Sequence, residues 1–236
     1  MDMPGAGDSP FFGNIKSYVL RGGRVTAAQL RAYRALAPEY LVPFTTERAD
    51  FEKIFGNANP LTVEIGFGTG SATAQIAAEN PGVNYLGIEV FRAGIGGLFR
   101  EIEKRSLKNL RVIEHDAVEV LSRMIAPASV SAFHIFFPDP WPKKRHHKRR
   151  LVKRPFTDSL AQKLLPGAYI CMVTDWEDYA EAALRELSET PGLRNACEGF
   201  AGARGRRPLT KFERKGLAKN HVIRELFFKR TETRLS

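Results

Sequence analysis

The chain has 236 residues, 43% of them hydrophobic and 26% charged, which is typical of a globular protein with a sizeable core. No apolar run approaches the ~20 residues of a membrane helix, and residues 1–14 lack the basic and apolar regions of a signal peptide, so we expect neither membrane insertion nor secretion. The formal net charge of +10 favours a polyanionic partner such as nucleic acid, the alternative being a merely basic surface.

Cysteine and histidine usage predicts a reducing compartment and no metal. Cys171 and Cys197 lie in apolar segments and match no metal-ligand spacing. We expect them to be reduced core residues, which predicts a cytoplasmic protein. His146 and His147 are adjacent but have no third ligand at suitable spacing, so a metal site is not expected.

The beginning of the chain predicts an arm. Residues 1–35 are expected to form a flexible, basic N-terminal arm, and residues 36–236 to form one domain. Within the arm, the stretch from Lys16 to Thr26 is basic and contains two glycines. Thr26 and Gln29 have capping-box spacing, which predicts that a helix begins there.

The rest of the chain alternates strand patterns with helical ones and ends in a pair of strands. The predicted strands are Leu61–Ile65, Asn84–Glu89, Leu110–Ile113, Val130–Phe137, Ala168–Val173, Leu193–Phe200 and His221–Phe228. The predicted helices are Ser71–Glu79, Phe91–Lys104, Ala117–Met124, Phe156–Leu165 and Trp176–Leu187. This pattern predicts an α/β fold with a seven-stranded, mostly parallel sheet and a C-terminal antiparallel hairpin. The arrangement resembles that of Rossmann-like class I S-adenosylmethionine-dependent methyltransferases, in which ligands lie at the carboxyl ends of the strands.

A glycine loop follows the first predicted strand and precedes a helix. It runs Glu64-Ile65-Gly66-Phe67-Gly68-Thr69-Gly70. Such a loop lets a ligand approach the backbone closely, but dinucleotide-binding proteins use one too. The third glycine of their motif is replaced by Ser71, and Glu64 would repel a pyrophosphate. Glu64 suits the cationic amino group of S-adenosylmethionine instead, so Glu64, Gly66 and Gly68 are predicted to bind this cofactor.

Two further acidic residues stand at the ends of successive strands. Glu89 closes the second strand, where a carboxylate can accept both ribose hydroxyls. Asp116 follows the third, where it can accept the adenine amino group. Either could instead be a solvated strand end or a helix cap, but their succession after a glycine loop favours a cofactor site.

The fourth predicted strand ends abruptly at Phe137-Pro138-Asp139-Pro140-Trp141-Pro142. Three prolines stiffen this segment and fix Asp139 just beyond the strand end, where a preorganised charge is most effective. We predict that Asp139 is the catalytic carboxylate and also borders the cofactor. Alternatives are a rigid turn with Trp141 in the core, or an enzyme acting on exocyclic amino groups, whose Asp/Asn-Pro-Pro-aromatic motif differs from this one.

A basic run begins at Lys143, directly after the proline motif, and predicts contact with a phosphate backbone. The residues predicted to contact RNA are Arg145, His146, His147, Lys148, Arg149 and Arg150. A solvated basic face is the plain alternative. His134, on the fourth strand, is expected to be a core residue.

These motifs together resemble the bacterial tRNA (guanine-N7-)-methyltransferase family, over roughly residues 16–230. The resemblance rests on the glycine loop, the Glu89 strand end, the proline motif with its basic extension and the segment Thr210-Lys211-Phe212-Glu213-x-Lys215-Gly216. It implies that Glu64, Glu89, Asp116 and Asp139 contact or shape the site of S-adenosylmethionine. It implies substrate binding by Lys143, Asp175, Thr210, Lys211, Phe212 and Glu213. The implied product is N7-methylguanine at guanine 46, in the variable loop of tRNA.

Guanine N7 carries a lone pair at neutral pH, so the implied transfer needs alignment and electrostatic stabilisation more than proton removal. Asp139 is predicted to orient the guanine and stabilise its developing positive charge, with Asp175 and Glu213 as other candidates for these roles. A non-catalytic RNA-binding protein, a nicotinamide oxidoreductase and a methyltransferase acting on another nucleic acid or base atom are the competing functions. The enzyme is expected to be a monomer or homodimer that binds tRNA and neither metal nor membrane.

Overall fold

The fold is that of a computed structural model, which describes residues 15–19, 25–202, 208, 213 and 222–232. The seven strands are β1 (Leu61–Ile65), β2 (Asn84–Glu89), β3 (Leu110–Glu114), β4 (Val130–Phe136), β5 (Leu164–Thr174), β6 (Leu193–Asn195) and β7 (Arg224–Arg230). The helices are α1 (Ala27–Tyr40), α2 (Phe51–Phe55), α3 (Ser71–Glu79), α4 (Arg92–Arg105), α5 (Ala117–Arg123), α6 (Phe156–Lys163) and α7 (Glu177–Ser188), with a 3-10 helix at Lys144–Arg149.

The strands form one sheet in the order β3-β2-β1-β4-β5-β7-β6. The first five pair in parallel, and β7 pairs antiparallel with both β5 and β6. The predicted α/β fold with a C-terminal antiparallel pair is therefore confirmed. Strand order reverses between β1 and β4, so the carboxyl ends of these neighbouring strands open a crevice that suits a ligand.

Each face of the sheet carries a hydrophobic cluster. On one face α2, α5, α6 and α7 cover Val63 of β1 and Phe133 of β4. On the other face α1, α3 and α4 cover Leu110 and Val112 of β3. Because both faces are covered, β1 and β2 are buried along their whole length, as expected for central parallel strands.

Several boundaries differ from the sequence prediction, most of all around β5 and β6. The sixth helix ends at Lys163, because Leu164 already pairs with Val130 at the start of β5. Pro166-Gly167, predicted to terminate that helix, instead lies within β5 beside an irregularity in the strand register. Strand β6 has three residues, and Ala201 adds only an isolated bridge to Glu225. The short helix α2 and the 3-10 helix were not predicted.

The predicted capping box is confirmed, since the Thr26 side chain accepts from the Gln29 backbone at the start of α1. Gln29 also donates to the carbonyl of Ala93 (2.9 Å), which joins α1 to α4. The predicted boundary at residue 35 falls inside α1, and the division into arm and domain stays a prediction. Cys171 is buried and Cys197 half-buried. Among the described helices, none has the length and apolar character to cross a membrane.

Candidate active site

A cleft opens at the carboxyl edge of the parallel strands and brings together residues that are far apart in sequence. It is lined by Gly66, Glu89, Asp116 and Asp139, four of the six predicted cofactor-binding residues. The other lining residues are Ser17, Tyr18, Ile65, Ile88, Val90, His115, Ala117, Phe137, Pro138 and Leu151. Glu64, near the end of β1, and Gly68, in the glycine loop, lie next to these lining residues. The sequence therefore predicted the acidic residues that line the cleft, but not the N-terminal residues Ser17 and Tyr18.

The glycine loop is tied to the end of β2 by Glu89. One carboxylate oxygen accepts from Gly68 N (2.9 Å), and the other accepts from Val90 N (2.8 Å) and Phe91 N (3.1 Å). Burial raises the pKa of Glu89, and these backbone donors oppose the rise while the charge of Asp139 adds to it. A carboxylate offers about four acceptor positions, so roughly one remains for a ribose hydroxyl.

The loop backbone requires glycine for two separate reasons. Gly66 and Gly68 have φ of 74° and 58°, in the left-handed region that favours glycine. In addition, α4 approaches the loop so closely that a Cβ at Gly94 would lie 2.1 Å from the carbonyl oxygen of Gly68. The role of Gly94 was not predicted, because its partner lies on another element.

We expect Gly94→Ala to displace the glycine loop and weaken S-adenosylmethionine binding by about tenfold or more, since overpacking costs on the order of 1–3 kcal/mol. The matched control is Gly82→Ala, because a Cβ at Gly82 would meet no atom within 4 Å. Calorimetric titration of both variants measures the effect. Wild-type cofactor affinity in Gly94→Ala would show that the close approach is unimportant.

Glu64 is a buried acid behind the loop. Its side chain is 3% exposed, and Oε2 has no hydrogen-bond partner among the described residues. Burial raises the pKa of Glu64 to about 7, with the nearby Thr73 hydroxyl opposing the shift and Glu89 adding to it. A buried carboxylate with an unpaired oxygen is costly unless a donor or cation is supplied, which the amino group of a ligand can do.

Asp116 serves as a helix cap as well as a cleft residue. Oδ1 accepts from Val118 N (2.9 Å) at the start of α5, so the capping alternative considered for this residue is correct for one oxygen. The second oxygen accepts from Lys16 Nζ (3.3 Å), and Lys16 also lies 3.7 Å from Glu119. The oxygen that the helix cap leaves over, which an adenine amino group would use, is therefore engaged by a cation from the N-terminal segment.

The segment 15–19 forms one wall of the cleft. Ser17 and Tyr18 line it, and the carbonyl of Ser17 accepts from the indole Nε1 of Trp141 (3.0 Å). Trp141 is half-buried, not in the core, and the Arg149 guanidinium lies 4.7 Å above its ring. The N-terminal segment thus connects Asp116 with the proline loop.

The loop from Phe137 to Trp141 carries backbone strain at both ends. Phe137 has φ of 51° and Trp141 has φ of 48°, and neither is glycine. Such conformations cost on the order of 1–3 kcal/mol each and persist where surrounding contacts enforce them. Here Phe137 N donates to Val173 O (2.7 Å), and Asp139 stands exposed between the strained residues at the cleft margin.

The basic run forms the 3-10 helix that follows this loop. Lys144, Arg145 and Lys148 are exposed, while His146, His147 and Arg149 are half-buried. Arg150 differs from all of them because it is 4% exposed. Its burial argues against direct RNA contact.

The predicted substrate-binding residues are only partly described. Lys143 is exposed and precedes the 3-10 helix, and Asp175 is half-buried beyond β5, at the same edge of the sheet. Glu213 is 5% exposed. Thr210, Lys211 and Phe212 lie outside the described residues. No group of three metal-ligating side chains occurs in the described ranges, and His134 is buried with its Nε2 3.2 Å from the hydroxyl of Tyr169.

The cleft fits S-adenosylmethionine by its chemistry. Its walls combine acidic groups with apolar side chains such as Ile88 and Leu151, as an amphipathic cation requires. The orphaned Oε2 of Glu64 and the exposed backbone at Gly66 supply an acceptor and a close approach for the polar end of the ligand.

Comparison with known proteins agrees with this geometry. The family model described as "Putative methyltransferase" matches residues 58–226. Among solved structures, the 16S rRNA methyltransferase KamB superposes with a TM-score of 0.58 at 16% identity, covering 78% of this chain and 95% of that one. At this identity the likeness concerns the fold, which is that of class I S-adenosylmethionine-dependent methyltransferases.

Curated sequences are far more similar. The tRNA (guanine-N(7)-)-methyltransferase of Burkholderia mallei is 49% identical over 92% of this chain and 82% of its own length. The protein of the same name from Bordetella pertussis is 48% identical over 95% of this chain and 89% of its own length. With nearly half of the residues identical over most of each sequence, the chain belongs to the tRNA (guanine-N7-)-methyltransferase family.

Proposed function

We propose that the protein transfers the methyl group of S-adenosylmethionine to N7 of guanine 46 in the variable loop of tRNA. The observation that carries this proposal is the position of Asp139. It lies on a strained, proline-rich loop, with the acidic cleft on one side and the basic 3-10 helix on the other. A guanine held at Asp139 would face the cofactor while the tRNA backbone follows the basic residues.

Bound S-adenosylmethionine supplies an electrophilic methyl group on a cationic sulfur. The carboxylate of Asp139 can accept hydrogen bonds from guanine N1–H and its amino group, which orients N7 towards the cleft. The same charge stabilises the imidazole ring as it becomes cationic. Proton abstraction by Asp139 is not needed, because the N7 lone pair is available at neutral pH.

The remaining assignments extend this site towards the RNA. We assign Lys143 and Asp175 to the bound nucleotide, as their places at the carboxyl edge favour. The segment Thr210–Glu213 belongs to the same proposal. We assign the phosphate contacts to residues 145–149. Arg150 is left out because it is buried. The proposal includes a cytoplasmic location and a monomer or homodimer.

The test is methylation of unmodified tRNA with a labelled methyl donor, followed by nucleoside analysis. We expect one equivalent of N7-methylguanine per tRNA. A tRNA in which guanine 46 is replaced by adenine is the control and should accept no label. Methylation of another base atom, or incorporation of label into the control tRNA, contradicts the proposed specificity.

The basic run predicts a change in salt dependence. Each lost phosphate contact lowers the slope of log affinity against log salt by about 0.7–0.9. Replacing the exposed Arg145 and Lys148 together by Ala should therefore reduce the slope for tRNA binding by roughly 1.4–1.8. Binding titrations between low and moderate salt measure it.

The charge-matched control is the double variant Lys104→Ala with Lys108→Ala. Both lysines are exposed and lie before β3, at the opposite end of the sheet from the cleft. Equal slopes for the two double variants would mean that only net charge matters, and direct contact by the 3-10 helix would then be rejected.

A further inference from the structure

Arg150 is the one residue of the basic run that is buried, and its guanidinium faces the proline loop. Nε donates to the carbonyl of Pro140 (2.9 Å), the residue after Asp139. Its side chain is 5% exposed although it follows five consecutive exposed or half-buried basic residues. A cation in this position is poorly placed to bind a phosphate and well placed to bind the loop.

Helix α7 holds the guanidinium from its other side. Nη2 donates to the carboxylate of Asp178 and lies 3.1 Å from Nε2 of His147. The guanidinium carbon stands 5.0 Å above the centre of the Tyr179 ring, and the hydroxyl of this buried tyrosine accepts from Val152 N (3.1 Å). The planar fork of arginine is suited to bridging two acceptors in fixed directions, which an ammonium group does less well.

The bridge acts on a loop that needs restraint. Phe137 and Trp141 have positive φ values, so the segment between them would relax without contacts that enforce its shape. Phe137 is fixed to Val173 by a backbone hydrogen bond, and Trp141 is fixed to Ser17 through its indole. Between these two, the Pro140 carbonyl is held by Arg150.

We propose that Arg150, held by Asp178, is a positioning residue that fixes the carboxylate of Asp139 through the Pro140 carbonyl. The inference rests on the role proposed for Asp139, whose carboxylate must align guanine with the methyl group. A misplacement on the order of 1 Å can cost about 100-fold in rate. Arg150 therefore controls turnover and leaves cofactor and tRNA affinity largely unchanged.

Arg150→Gln and Arg150→Lys test this with kcat, KM for tRNA, cofactor affinity and the salt slope of tRNA binding. We expect kcat to fall by about 10–100-fold in both variants, with both affinities within about threefold of wild type and the salt slope unchanged. The lysine variant discriminates between the two roles. It would keep a phosphate contact but cannot reproduce the fork, so wild-type kcat in Arg150→Lys overturns the proposal.

Asp178→Ala provides a variant on the surface in case Arg150 substitutions unfold the protein. Asp178 is 62% exposed, so its loss leaves the core intact while the guanidinium loses its anionic partner. We expect kcat to fall about five- to tenfold, whereas Glu181→Ala, an exposed acid one turn along α7, keeps wild-type kcat. Unchanged kcat in Asp178→Ala overturns the proposal.

The Asp139 and Arg150 variants together distinguish a failure of the proposed function from a failure of the positioning role of Arg150. If wild-type protein forms no N7-methylguanine, or Asp139→Ala keeps its turnover, the proposed function fails before Arg150 is considered. If Asp139 is essential and the Arg150 variants lose tRNA affinity and salt slope with kcat intact, Arg150 is an RNA contact. That outcome overturns only the positioning role.

Discussion

We expect Asp139→Ala to lower kcat by about 10²–10³-fold at saturating cofactor while tRNA binding is retained, by analogy with the loss of a preorganised electrostatic group. Asp139 is exposed, so the substitution removes no core contact and should leave the thermal midpoint nearly unchanged. Because Asp139 also lines the cleft beside Glu89, a moderate loss of cofactor affinity accompanies the loss of turnover. Single-turnover kinetics with saturating S-adenosylmethionine separate the two effects.

Asp139→Asn and Asp175→Asn refine this result. Asparagine at position 139 keeps the size of the side chain but loses the charge and one acceptor. The kcat of Asp139→Asn should therefore be nearly as low as that of Asp139→Ala. Asp175 lies at the end of the neighbouring strand and is the comparison acid. Turnover within threefold of wild type in Asp139→Ala, together with a large loss in Asp175→Asn, would transfer the catalytic role to Asp175.

The second large effect concerns the pH dependence of cofactor binding. Burial raises the pKa of Glu64 to about 7 in the free protein. Because this value is above that of the unfolded chain, ionising Glu64 destabilises the fold as pH rises from about 4.5 towards 7. A cationic amino group beside Glu64 favours the carboxylate, so binding releases a proton. We expect S-adenosylmethionine affinity to rise about tenfold between roughly pH 5.5 and 7.

Glu64→Gln is the control for this linkage. The amide keeps the shape of the side chain but does not titrate. The variant should therefore bind S-adenosylmethionine more weakly than wild type at neutral pH, and its affinity should increase little as the pH rises. The unbound variant should also be more stable than wild type near neutral pH, because no buried charge forms. Calorimetry in buffers of different ionisation enthalpy counts the released protons. A pH profile in Glu64→Gln identical to that of wild type would assign the rise to another group.

Local patterns carried much of the information about this protein. Strand β1, the glycine loop and helix α3 were predicted with correct bounds, because apolar runs and glycine spacing are properties of neighbouring residues. Glu89, Asp116 and Asp139 were placed together for a related reason. The carboxyl ends of parallel strands share one edge of the sheet, so residues at successive strand ends meet without further information.

The alignment of β5 shows where local patterns fail. Pro166-Gly167 predicts a helix end, yet Leu164, two residues earlier, already pairs with Val130 of β4. Pairing across the sheet outweighs the local preference. Likewise the pattern of β6 extends to Phe200, but its ladder with β7 covers only Leu193–Asn195. Both outcomes depend on a partner strand.

Composition, spacing and strand ends predicted the fold class, the acidic residues of the cleft and the basic run, and the resemblance of the motifs predicted the family. What each of these residues contacts follows from the packing of the elements. Lys16 reaches Asp116 across the chain, and Gly94 admits the carbonyl of Gly68. Arg150 is one of a run of similar cations, but its guanidinium donates to both the Pro140 carbonyl and the Asp178 carboxylate. Such contacts join residues distant in sequence, and their directions are fixed only when the elements pack.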